Sequence, residues 1–175
     1  MIAVRRARAQ DADAIGRVHV EAWRSAYGDL MSAEFLDGLD PVARGRRWRA
    51  MLTGEEAWSD GLAVDVFVAV RGGALAGFVV VGQSRDEDAD EHTAELHAIN
   101  VAAEHWGSGV GPALFEAAVG HLRSSGHRAV TLWVLEGNAR ARRFYERYGW
   151  TPDGRTKPLV IAGEALTEVR YRSDM

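Results

Sequence analysis

Residues 105–115 read HWGSGVGPALF. Three glycines, Gly107, Gly109 and Gly111, alternate with other residues directly before an apolar helical pattern. Glycine permits positive φ and removes the side chain that would block a close approach. The first N–H groups of a helix have no partner within it, and the helix dipole favours an anion beside them. Phosphate or pyrophosphate is the natural ligand of such a turn. Pro112 fits the first helical turn, where a missing N–H does least harm. Two phosphate motifs fail on this stretch. A P-loop read from Gly107 needs Gly-Lys at 112–113, where Pro112-Ala113 stands. A dinucleotide fingerprint needs Gly or Ala at 112, and the loop lies in the wrong half of the chain for that fold's first unit. Another phosphate-bearing cofactor is implied.

The loop needs a strand to feed it and a helix to leave it, and both are legible. TAELHAINV, residues 93–101, reads as a strand. From Gly109 to Ser124, residues Val110, Leu114, Ala117, Ala118 and Leu122 fall on one helical face. Upstream, IAVRRAR reads as a strand and Asp11 as the N-cap of a helix carrying Ile15, Val18, Ala22 and Trp23. A second helix runs from Ser32 toward Leu39. Pro41 opens a third, which Gly54 ends. LAVDVFVAVRGGALAGFVVVGQ reads as two strands around Arg71-Gly72-Gly73. The acidic run 84–92 reads as a solvated loop. RAVTLWVLEG is a strand, and NARARRFYERYG is a helix with Asn138 as N-cap and Gly149 as its C-terminal stop. WTPDG and ALTEVRYR are the last two strands. The order predicts one mixed α/β domain over residues 1–175, with a mostly antiparallel sheet and no repeat or linker.

Composition bounds the partners. The 175 residues carry a net charge of −4, so nothing pulls the whole molecule toward nucleic acid or an anionic membrane. Cysteine is absent, which excludes disulfides and thiolate metal sites and suits a cytoplasmic location. No apolar run approaches the ~20 residues that cross a bilayer, and the N-terminus lacks the apolar stretch of a signal peptide. His92 and His97 make a poor zinc pair, since no third ligand is suggested. The expectation is no metal.

The run ELHAINVAAEHWGSGVGPALFEAAVGHL, followed by VTLWVLEGNARARRFYERYGW, resembles the GNAT superfamily of acetyl-CoA-dependent N-acetyltransferases. The match is close over residues 94–150, and HVEAWRSAYGDL looks like the first helix of many bacterial members. The resemblance implies a GNAT-like sheet flanked by helices and splayed at its central strands. It implies acetyl-CoA as co-substrate. The family's phosphate loop aligns with Trp106, Gly107, Ser108, Gly109, Val110 and Gly111. Trp106 departs from the family's Gln or Arg, so a long polar side chain is lost and backbone N–H groups do most of the holding. The strand before the loop would lend backbone groups of Ile99, Asn100 and Val101 to the pantetheine arm. Asn138 would touch the cofactor or position a water as well as cap its helix.

Acetyl transfer to an amine needs an uncharged nucleophile, a polarised thioester, a proton for the departing thiolate, and the two reactants held together. By resemblance Tyr145, on the stripe Ala141, Phe144, Tyr145, Tyr148, is the acid, and Tyr148 is packing. A phenol near pKa ~10 suits a thiol near ~8.5. Strand alternation puts Glu95, His97, Ile99 and Val101 on one face. Glu95 is the expected base, directly or through water, with His97 as the second candidate. Arg140, Arg142, Arg143 and Arg147 read as a solvated face. Trp23 and Tyr27, with Phe35, are expected to line the acceptor pocket, because the family's first helices form one wall of it. The acceptor would be a primary amine on a small molecule, a peptide N-terminus or a lysine. Family members are often homodimers. The rival reading is a non-catalytic acyl-CoA-binding sensor that kept the fold.

Overall fold

The computed structural model describes residues 1–58 and 61–175. A hairpin starts the sheet. β2 (Val64–Arg71) and β3 (Ala74–Gln83) are joined by Gly72-Gly73, both at positive φ, as a two-residue turn compatible with strand twist requires. β1 (Ile2–Arg6) pairs antiparallel with β2, and β4 (Thr93–Val101) antiparallel with β3. β5 (Ala129–Leu135), β6 (Thr151–Ile161) and β7 (Glu164–Asp174) complete a seven-stranded sheet in the order β1-β2-β3-β4-β5-β7-β6. The parallel pair is β4–β5, and it is short. Thr93, Ala94 and Glu95 pair with Ala129, Val130 and Thr131, and beyond these rungs the strands diverge. The expected splay is therefore a notch between β4 and β5, with Glu95 at its apex.

Helices cover both faces. α4 (Val110–Ser124) and α5 (Ala139–Arg147) lie over one side. There Val110, Leu114, Phe115, Ala118 and Leu122 bury against Val79, Val81, Leu96 and Leu132. Each fully buried Leu or Phe contributes about 1.5–3 kcal/mol by leaving water. α1 (Ala12–Ala26) and α3 (Pro41–Thr53) cover the other face of β2–β4, where Ile15, Val18 and Trp48 meet Val68, Phe78 and Val80. α1 and α3 approach each other through glycine. A Cβ on Gly16 would sit 2.5 Å from the Gly45 backbone nitrogen. α2 (Ala33–Asp37) is a short helix capped by Ser32, whose hydroxyl accepts from Phe35 N.

The structure corrects several expectations. Asp11 stands at the N-cap position of α1, as expected, but its side chain makes no capping hydrogen bond there. It closes a 3₁₀ turn at Ala9–Asp11, accepts from the Arg8 backbone N–H at 2.8 Å, and takes two hydrogen bonds from Arg5. The chain turns helical three residues earlier than expected, so the carboxylate looks back rather than forward. The last strands are longer than WTPDG and ALTEVRYR. β6 runs on to Ile161 and tolerates Pro152, Gly154 and Pro158 because it is the sheet's edge. The acidic run is not freely solvated either. Asp86 is 9 % exposed and accepts from Thr131 Oγ1, Trp133 Nε1 and Arg170, which ties this segment onto the sheet.

His19 on α1 sets a pH limit on stability. Its Nδ1 accepts from Trp48 Nε1 at 3.1 Å, and the ring packs near Trp23 and Phe78. Burial, with Arg44 and Arg47 nearby, lowers its pKa to about 3. The unfolded chain binds this proton near pH 6.5 and the native one only near pH 3. Stability therefore falls as pH drops through that window, by about 1.4 kcal/mol per pH unit. Urea midpoints at pH 7.5 and 5.0 should differ by the equivalent of ~2 kcal/mol more in the native sequence than in His19→Gln. Equal differences in the two proteins would refute this role.

Candidate active site

The glycine loop has the geometry its sequence promises. Gly107 and Gly109 sit at φ +73° and +90°, and Gly109 is the N-cap of α4. No side chain caps that helix end. Nothing lies within 4 Å of a Cβ built on Gly107, so the space in front of the turn is open. Ser108 Oγ donates to the His105 carbonyl, which stiffens the turn from behind. Val110 and Gly111 begin the helix, and Pro112 occupies its third position. A phosphate-bearing ligand fits this end: open space, backbone N–H donors, and the positive end of the dipole.

The notch leads away from the loop. Past Glu95, no β5 rung covers the edge of β4, so backbone groups of Ile99, Asn100 and Val101 that point away from β3 are open to an extended ligand. The Val101 carbonyl is the exception, accepting from Trp106 Nε1 at 2.9 Å. That bond pins the Trp106 ring to the rim. The guanidinium carbon of Arg140, from the first turn of α5, lies 3.2 Å from the centroid of the same ring. Arg140 is exposed, as a solvated stripe requires, but one face of its guanidinium rests on this ring. Arg142 departs from the stripe, since its Nε donates to Tyr171 Oη. The sequence reading left Arg140 on that solvated face, though its place two residues after Asn138 was a usable signal.

On the α4–α5 side of the notch stands Tyr145. It is 6 % exposed and belongs to the same buried cluster as Leu96 of β4 and Leu132 and Val134 of β5. Burial, with Tyr27 nearby, pushes its phenol well above the ordinary value, so it stays protonated at any working pH. Asn138 Oδ1 accepts from Ala141 N and caps α5. It also lies close enough to the Tyr27 hydroxyl to act on its ionisation. Burial raises the Tyr27 pKa too, and Asn138 opposes that rise. Tyr27, Asn138 and Tyr145 therefore converge from α1, the start of α5 and its middle. Trp23 packs edge-on against Tyr27 at 5.2 Å, and both join an apolar cluster with Phe35, Leu135 and Leu159. Tyr148 packs on Phe115 and Phe144.

Glu95 and His97 come together, but not on the face expected. β4 carries a bulge. Val81 pairs with Leu96 and Val80 with Ala98, so His97 is the extra residue. One added residue reverses the alternation. Leu96, Ile99 and Val101 consequently share the α4 side, while Glu95 lies on the opposite one. Glu95 is fully buried. Its carboxylate accepts from the Arg85 backbone N–H at 3.0 Å and from the Arg85 guanidinium. Arg85, a cation beside the acidic run, was missed for that reason. The His97 side chain is 1 % exposed, with Nδ1 3.5 Å from Glu95 Oε1 and Nε2 3.0 Å from the Gln83 carbonyl. A carbonyl only accepts, so Nε2 carries the proton and Nδ1 keeps its lone pair. That Nδ1 is buried without a hydrogen-bond partner. Burial lowers the His97 pKa and Glu95 pushes the other way, which keeps the ring neutral at neutral pH.

Among the described residues no group of three or more His, Cys, Asp or Glu could hold a metal, and no helix is long and apolar enough to cross a membrane. Over its full length the fold is similar to the PaiA N-acetyltransferase of Thermoplasma acidophilum in complex with coenzyme A. The TM-score is 0.73 at 16 % identity, covering 100 % of this chain and 99 % of that one. An uncharacterized N-acetyltransferase of Bacillus subtilis, YuaI, is 30 % identical over 171 residues, covering 97 % of this chain and 91 % of the relative. A mycothiol acetyltransferase of Thermobispora bispora is 39 % identical over 98 residues, 55 % of this chain and 32 % of that protein. Residues 20–150 match the Acetyltransferase (GNAT) family. The chain belongs to the GNAT family of acetyl-CoA-dependent acetyltransferases.

Proposed function

We propose that the chain moves an acetyl group from acetyl-CoA to a primary amine by direct attack, and that the notch between β4 and β5 is where the two meet. The observation that carries this is the notch itself, with an uncapped glycine turn at its rim and a protonated tyrosine in its wall. The α4 turn would bind the pyrophosphate. The open edge of β4 at Ile99–Val101 would take the amide-bearing arm as an added strand. The amine nitrogen attacks the thioester carbonyl, the C–S bond breaks, and Tyr145 gives its phenolic proton to the leaving sulfur. The amine's own proton leaves through water toward His97 Nδ1. Glu95 Oε1, 3.5 Å from that nitrogen, favours protonation of the ring, and Arg85 opposes it. Tyr145 then recovers a proton from solvent. The products are an amide and free CoA thiol, so atoms and charge balance.

Tyr27 and Trp23 would wall the acceptor side, with the apolar cluster of Leu30, Leu135 and Leu159 behind them. That wall suits an amine carried on a partly apolar frame, as a small molecule or the end of a peptide. The mycothiol acetyltransferase relatives favour the small-molecule reading.

A melting series with acetyl-CoA, CoA, ATP and NAD tests the cofactor. At 100 times its dissociation constant acetyl-CoA should add about 2.7 kcal/mol, which is ~5–11 °C for a domain of this size. A panel of primary amines, read by release of free thiol, tests transfer. No shift with acetyl-CoA or CoA sinks the proposal, and a shift without turnover on any amine leaves the sensor reading in its place.

A further inference from the structure

We propose that Arg140, laid flat on Trp106, is the cation this chain offers to the phosphate groups of CoA, replacing the polar side chain that is absent at position 106. The proposal rests on the acetyl-CoA reading above and concerns how that ligand is held.

Three independent features point the same way. The Trp106 ring is fixed, because its N–H is donated to Val101 at the end of β4, one short turn before the glycine loop. A fixed aromatic face is a platform, and Arg140 occupies it at stacking distance. Stacking uses the flat face of the guanidinium and leaves its rim of N–H donors free. That is the geometry in which arginine takes phosphate oxygens two at a time.

The second feature is the missing counter-charge. Arg140 lies exposed at the rim, with one face of its guanidinium covered by the Trp106 ring. No carboxylate among the described residues forms an ion pair with it. Arg170, which is buried, is treated very differently, since it meets Asp86, Asp88 and Asp153. A cation held on a ring and left without an acid is ready to take an incoming anion.

The third is position. The stack joins the rim of β4 to the first turn of α5, so it spans the two lips of the notch on the side where α4 begins. Phe144, one turn along α5 from Arg140, is the nearest side chain to a Cβ on Gly111 at 3.6 Å, which sets the start of α4 against the middle of α5. A phosphate at the α4 turn lies beside this guanidinium. The backbone N–H groups supply direction and Arg140 supplies charge.

Calorimetric titration of the full chain decides it, with CoA and dephospho-CoA as probes. Arg140→Met should weaken CoA binding about 10- to 100-fold, the usual worth of one charge-assisted pair. Its melting temperature without ligand should stay within a degree or two of the native value. Arg140→Lys keeps the charge but not the stacked fork, and should recover only part of the loss. If dephospho-CoA binding falls equally, the cation serves the pyrophosphate; if only CoA binding falls, it serves the 3′-phosphate. Either supports the assignment. Arg140→Met binding both probes within twofold of the native protein overturns it while leaving the acetyl-CoA reading intact. A native protein that binds neither probe removes that reading, and this one with it.

Discussion

Tyr145→Phe should lower kcat for acetyl transfer by about 10²- to 10⁴-fold, the ordinary worth of a positioned proton donor. Acetyl-CoA affinity should change by no more than a few-fold. The substitution removes one oxygen and keeps the ring, whose neighbours Phe115, Phe144, Trp150 and Tyr171 all lie within 6.3 Å, centroid to centroid. The fold therefore has little reason to respond. The pH profile adds a second readout. Burial holds the Tyr145 phenol above its usual value, so its ionisation cannot produce an alkaline fall in rate below pH ~10. A fall seen near neutrality belongs to another group. The measurement is kcat by thiol release across pH 6–10, beside the acetyl-CoA melting shift of the same variant. A Phe variant within threefold of the native kcat would remove Tyr145 from the chemistry. Loss of both turnover and melting shift would mean that the hydroxyl holds the ligand rather than protonating it.

The second large effect lies in stability, at Arg170. Its guanidinium is 5 % exposed and donates to Asp153 at 2.6 Å, to Asp88 at 2.7 and 2.9 Å, and to Asp86 at 3.1 Å. Arg170→Met leaves Asp86 buried beside Thr131 and Trp133 with no cation. Breaking a buried pair from one side costs about 3–5 kcal/mol, far more than an exposed pair is worth. Melting should fall by roughly 6–20 °C. Asp86→Asn should cost less, since the amide keeps an acceptor for Trp133 and Arg170 retains two carboxylates. Amide exchange should rise first in residues 84–92, the segment this cluster ties down. A melting loss under 2 °C in Arg170→Met would show that the aspartates are solvated after all.

These cases show which parts of the molecule its sequence discloses. Short-range geometry reads well. Gly109 at positive φ, Asn138 as a cap, Pro41 and Gly54 bounding α3, and Gly72-Gly73 in the hairpin all depend on residues within a turn of one another. The order of strands and helices follows from them. Pairings across long separations do not read at all. Asp86 looked solvated because its partner is 84 residues away in β7. The stack of Arg140 on Trp106 did not show because the ring lies far away in sequence. Strand β6 was read only as WTPDG, because nothing local says that it is an edge strand able to run on through Pro158 to Ile161. The candidate site divides the same way. Its loop and its tyrosine stood out by spacing and resemblance. The sidedness of Glu95 and His97 depended on a single unpaired residue that alternation cannot reveal.

That unpaired residue also fixes how the chain can change over time. Most strands tolerate a lengthened or shortened loop at their ends. In β4, removing one residue at the bulge would do something else. It would rotate everything downstream by half a turn, sending Ile99 and Val101 to the surface that Ala98 and Asn100 now occupy. The buried cluster over α4 would lose two of its members, and the exposed edge of the strand would offer its backbone groups in the wrong phase. Substitutions around His97 are ordinary events with graded costs. A one-residue deletion there would disable core and ligand edge together, which makes this point of the gene tolerant of spelling changes and intolerant of a change in length.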